Sequence, residues 1–88
     1  MEASKFTEKI YGPYGDAWKV IKILAQANDD NPALSDVLTQ YMSEIDKFAQ
    51  KYEGNDFAKL LYKMLLKADD TIMEINRNEA KQKTEADK

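Results

Sequence analysis

The sequence predicts an all-α fold, a small three-helix bundle made of an antiparallel helical hairpin and one preceding helix. A short N-terminal arm or helix is expected before it and a frayed, charged tail after it. Three observations carry this. Three Gly and two Pro in 88 residues are few for a turn-rich sheet protein. Apolar residues recur at three- and four-residue steps through two long segments, the period of one buried helix face. Helix punctuation, Asn31-Pro32 and Gly54-Asn55, stands at the boundaries of those segments.

A chain of this length fits one domain, which hides about 60 to 65% of the surface its unfolded chain exposes. The expected divisions are an arm and aromatic turn over 1–15, a bundle over 16–76 and a tail over 77–88. In the arm, Phe6 and Ile10 lie one helical turn apart, and Tyr11-Gly12-Pro13-Tyr14-Gly15 follows. One Pro and two Gly argue against a continuous helix there and for a rigid turn. Asp16 is the expected N-cap of the first bundle helix, which carries Ala17, Val20, Ile21, Leu24 and Ala27 on one side and ends at Asn28-Asp29-Asp30.

The second helix is expected to start at Asn31-Pro32, because an Asn side chain accepts from first-turn N–H groups and Pro at the first position has no donor to waste. Its inner face reads Leu34, Val37, Leu38, Tyr41, Ile45, Phe48, Ala49 and Tyr52. Asp36, Thr39, Gln40, Ser43, Asp46, Lys47 and Gln50 fill the other face, and Gly54 offers a left-handed stop. Asn55 then caps the third helix, with Asp56 set against its dipole. Phe57, Leu61, Met64, Leu65, Ala68, Ile72 and Ile75 continue the period. After Asn76, Ala80 and Ala86 are the only apolar residues, so the tail offers no face to bury and is expected to be frayed or disordered.

Composition excludes much chemistry. With no His and no Cys, the common nucleophile, base and zinc-ligand sets are missing, and neither a catalytic site nor a cofactor is expected. The same lack of Cys rules out a disulfide framework and suits a reducing cytoplasm. No apolar run is long enough to span a bilayer, and Glu2, Lys5, Glu8 and Lys9 stand where a signal peptide needs an apolar core. Asp29-Asp30 and Asp69-Asp70, with Glu74, are acidic enough for Mg2+, but no Glu-x-x-Glu or Glu-x-x-Asp pair lies in either long helix. Asp29-Asp30-Asn31 lacks the Gly and closing Glu of a calcium loop. A net charge of -3 opposes the positive field that usually holds nucleic acid. Lys59, Lys63 and Lys67 do form a basic row at four-residue steps, which Lys19 and Lys22 would extend. Asp56, Asp70 and Glu74 share its sector, through pairs such as Lys67 with Asp70 or Lys63 with Asp56.

Protein contact is the stronger expectation. Tyr62, Leu66 and Met73 make a second apolar row on the third helix, away from its core stripe. The row calls for a cover, which the N-terminal arm, a second copy or a foreign protein would supply. Tyr11, Tyr14 and Trp18 gather aromatic rings about the Gly/Pro turn, either as a lid on the core or as interface anchors. The expected interaction surface combines Tyr62, Leu66 and Met73 with Tyr11, Tyr14 and Trp18, in a protein-binding module able to form a homodimer.

Tyr14-Gly15-Asp16-Ala17-Trp18-Lys19, then Lys51-Tyr52-Glu53-Gly54, then Phe57 with Leu60-Leu61, resemble positions in small all-helical proteins encoded by phages and prophages of Gram-positive bacteria. The resemblance runs from about Tyr11 to Ile75. It implies an accessory protein acting in the bacterial cytoplasm by binding and redirecting a host factor, anti-CRISPR-like inhibitors of host nuclease complexes among them. It carries over no catalytic residue. Mimicry of DNA is not expected, because 16 acidic residues are interleaved with 13 basic ones.

Overall fold

The structure, a computed structural model, describes the backbone of residues 1–86 and the side chains as far as Lys81. It is all-helical among the described residues. Helix α1 (Ala3–Phe6) runs through a π-wound turn (Thr7–Tyr11) into α2 (Gly12–Ile21), which tightens into a 3-10 turn (Lys22–Gln26). Helices α3 (Leu34–Lys51) and α4 (Asp56–Ala86) follow, and α2, α3 and α4 each pack against the other two. The core between them holds Ala17, Val20, Leu24 and Ala27, then Tyr41, Ile45 and Phe48, then Ala58, Leu61 and Leu65. Full burial of Leu24, Ile45 and Leu65 stabilises the fold by about 1.5–3 kcal/mol per side chain.

The expected break at Tyr11–Gly15 does not occur. A proline inside a helix removes one N–H and crowds the carbonyl four residues back, and the chain meets both problems. The π turn shifts the Gly12 N–H onto the Thr7 carbonyl, which lengthens the ladder just before Pro13. The Lys9 carbonyl, the one Pro13 leaves unserved, accepts instead from Asn55 Nδ2 at 3.0 Å. Because the helix already exists upstream, Asp16 caps nothing. It lies within α2, and its carboxylate turns to α3.

Asn31 is not the N-cap expected of it, because the helix starts at Leu34 rather than at Pro32. Its Oδ1 accepts from the Ala33 N–H at 2.9 Å, an Asx turn that leads into a helix starting at Leu34, with Ala33 as the residue before it. Gly54 has φ 86, the left-handed stop foreseen for α3. Asn55 Oδ1 accepts from the Ala58 N–H at 2.9 Å, so one carboxamide caps α4 and also repairs the proline gap.

Beyond Asn76 the backbone of α4 is helical to Ala86. Its apolar face does run out, and polar contacts take over. Asn76 Nδ2 donates to the Ala27 carbonyl at 3.1 Å and to that of Leu24 at 3.5 Å. The Arg77 guanidinium reaches Asp29 at 2.5 and 3.1 Å. The last two residues of the expected tail lie outside the described residues.

Candidate interaction surface

Packing three helices pairwise creates three outer seams, and their closures differ. The α2–α3 seam is ionic. Asp16 accepts from Lys51 Nζ at 2.7 Å and from the Tyr52 hydroxyl at 2.5 Å, with Lys19 Nζ at 3.9 Å. The carboxyl of Asp16 is held below its usual range by the hydrogen bond from Lys51 and then that from Tyr52. The Tyr52 phenol is pushed up, first by burial and then by the bond to Asp16. Lys47 pairs with Glu44 at 3.2 Å, and these charges roof an apolar floor of Val20, Ile23 and Phe48.

The α2–α4 seam is apolar. Two contacts set its register, Asn55 on the Lys9 carbonyl and Asn76 on the carbonyls of Leu24 and Ala27. The helices therefore run parallel, with an offset of 46 residues at the first anchor and of 49 and 52 at the second, so Tyr14 and Trp18 lie along the stretch of α4 that carries Leu60 and Met64. Facing follows from helix geometry. Asp16 points to α3, and Trp18 lies two residues, about 200°, round α2 from it. Tyr62 lines a cleft with Ala49, Tyr52 and Glu53 beside α3, and Leu60 lies about 200° round α4 from Tyr62. Both rows thus turn away from α3 and border the same seam. Tyr14 is 59% exposed, Trp18 57%, Leu60 62% and Met64 42%.

The α3–α4 seam is fixed by the Tyr41 hydroxyl, which donates to the Leu65 carbonyl at 2.6 Å. Burial, then the charge of Asp69, pushes the Tyr41 phenol up to about 12. Asp69 Oδ1 is enclosed here and has no hydrogen-bond donor among the described residues. Along the outside run Met42 and Leu66, both exposed, with Leu38, Tyr62 and Met73 half-buried against the core.

The single surface expected from sequence therefore divides. Tyr62, Leu66 and Met73 lie on the α3–α4 side of α4, and Tyr14 and Trp18 border its other side. Tyr11, Tyr14 and Trp18 are exposed, so they do not form a lid, and Pro13 and Ala17 between them are the buried members of that segment. The arm does not cover the Tyr62 row either, because it is wound into helix and its Lys9 carbonyl sits at the start of α4. Tyr62 and Met73 also touch the core; Leu66 is the outward residue of the three. Met64 and Ile75, expected inside, are exposed. Leu60 and Met42, exposed on the seams, carry no sequence signal that marks them as surface anchors.

On the basic row, Lys59 pairs with Asp56 at 3.8 Å, in place of the expected Lys63–Asp56 and Lys67–Asp70 pairs. Lys63 and Lys67 are exposed. Lys19 borders the α2–α3 seam with Lys47 and Lys51 and does not extend the row. Among the described residues no three acidic side chains converge as metal ligands, and no helix is long and apolar enough to cross a membrane. Comparison with known proteins finds no matching family model, curated protein or solved structure.

Proposed function

We propose that the protein is a three-helix bundle that acts by binding another protein, without catalysis, through the α2–α4 seam. The observation that supports this most is the placing of Tyr14 and Trp18 beside Leu60 and Met64, four large exposed side chains along the same stretch of two parallel helices. Scattered exposed Leu residues are ordinary, but a contiguous patch with aromatic rings is the usual core of a contact. Two parallel helices leave a shallow groove, and an amphipathic helix of the partner is the element that fits it, with its apolar side on Trp18 and Leu60. The likeness to phage-encoded helical proteins suits a small product that works by stoichiometric contact with a host protein in the bacterial cytoplasm. Inhibition of a host nuclease complex is one form of such contact.

A photo-crosslinking amino acid placed at position 18 or 60, and at Ser43 on the polar face of α3 as control, tests the surface in Gram-positive cells. The expected result is one discrete adduct from positions 18 and 60, absent at 43 and lost when the second seam residue is replaced by Glu. Adducts equal at all three positions, or none at the seam, overturn the proposal. Trp18 is the sole tryptophan, so its emission also reports engagement, moving to the blue as partner atoms replace water.

A further inference from the structure

The other apolar seam carries a different message. Around Leu66, which is 42% exposed, the outer face of α4 has an ordered charge pattern. Lys59 and Lys63 precede Leu66, and Asp70 and Glu74 follow it. The four lie within about 60° of one another round the helix, and all four are exposed. Their spacing is symmetric, since Lys63 and Asp70 are equally far from the midpoint between Leu66 and Lys67, as are Lys59 and Glu74. Asp56 and Arg77 share that sector and are also equally far from the midpoint, so the face carries opposite charges at equal distances from its centre and is complementary to its own antiparallel copy.

We propose that a second copy of this chain docks on the α3–α4 side of α4, with the two α4 helices antiparallel and crossing at Leu66. A two-fold axis perpendicular to the helices keeps each residue on its own side of the contact and inverts its height. Lys63 therefore meets the second copy's Asp70, and Lys59 meets the second copy's Glu74, twice each by symmetry. Leu66 packs on its own counterpart at the centre, flanked by Met42 and by the exposed parts of Tyr62 and Met73. A parallel pair would set Lys on Lys and acid on acid, so the charge order selects the antiparallel register. The contact uses the opposite side of α4 from Trp18 and Leu60 and leaves the partner groove open, giving a dimer with two such grooves.

The full-length chain tests this by light scattering on size-separated protein and by sedimentation over a wide concentration range. Wild type is expected to double its molar mass as concentration rises, with dissociation promoted by salt. Leu66→Glu should raise the dissociation constant ~100-fold, because it buries a carboxylate against its own copy. The double variant Lys59→Glu/Lys63→Glu should be monomeric, and so should Asp70→Lys/Glu74→Lys. Their equimolar mixture should restore a dimer, now a heterodimer, while unchanged far-UV circular dichroism shows that each chain folds. A wild type that stays monomeric overturns the proposal. So does a dimer indifferent to Leu66→Glu, or a mixture of the charge-reversed chains that stays monomeric. Leu60→Glu should leave the dimer intact, and Leu66→Glu should leave the crosslinks at positions 18 and 60 intact, so the two proposals fail separately.

Discussion

Replacing Tyr41 by Phe removes one oxygen from the centre of the fold and should reverse its effect on stability with pH. The hydroxyl is fully buried and donates to the Leu65 carbonyl at 2.6 Å. That carbonyl is also the acceptor of the helical bond from residue 69, so the variant leaves no orphaned group. The loss at pH 7 should be that of one net hydrogen bond, about 1 kcal/mol, seen as a melting temperature about 4–8 °C lower for a domain of this size.

At high pH the sign changes. Burial raises the phenol from 10.0 to about 12, so the fold favours its neutral form. A raised value means that this contribution is complete below pH 10 and is lost as pH rises towards 12. A rise of that size corresponds to about 3 kcal/mol, more than the hydrogen bond supplies. Wild type and Tyr41→Phe should therefore be equally stable near pH 11, and the variant should be the more stable at pH 12 by about 1 kcal/mol. Urea unfolding of both chains followed by circular dichroism from pH 7 to 12 measures the difference, and subtraction removes the lysines and Tyr52, common to both. If both chains lose stability equally between pH 9 and 12, Tyr41 is not held neutral by burial and the reasoning fails.

Two further substitutions probe the polar contacts that align the helices. Asn55→Ala should cost about 1–2 kcal/mol by removing the cap on Ala58 and the donor to Lys9. Asn55→Asp keeps the acceptor and loses the donor, so hydrogen exchange should quicken over residues 3–12 in both variants but in the first turn of α4 only with Ala; unchanged exchange over 3–12 in the Asp variant refutes the proline-gap role. Asp16→Asn should lower the melting temperature by a few degrees at neutral pH. Since the folded carboxyl is depressed below 3.8, its contribution is present above that value and fades as pH falls through the folded one. The two chains should therefore converge once pH falls below the folded value, and a gap that persists throughout the acid range would deny the linkage.

The helical class and most of the core were legible because they depend on spacing. Tyr41, Ile45, Phe48, Leu61 and Leu65 fall on the buried stripes by period alone. The errors share one physical origin, a local rule overridden by a long-range partner. Pro13 reads as a breaker until Asn55, more than forty residues away, serves the carbonyl it leaves free. Asp16 reads as a cap until Lys51 and Tyr52 take its carboxylate. Of the candidate surface, the sequence points to the aromatic positions and Leu66, but their division between two seams could not be read. That needs the register of α2 on α4, which the two asparagines set and no periodicity encodes.

The contrast between the seams bears on why the apolar residues are there. The α2–α3 seam shows how this chain closes a groove when nothing else is to bind, with Asp16, Lys19, Glu44, Lys47 and Lys51 over a thin apolar floor. The same solution was open on both flanks of α4. Lys serves a helix about as well as Leu, and an exposed substitution there changes stability by no more than about 0.5 kcal/mol. Leu60, Met64 and Leu66 therefore gain the monomer little by being apolar, while exposing a surface that invites association. The proposed partner groove beside Trp18 and the proposed self-complementary face about Leu66 both rest on that exposure.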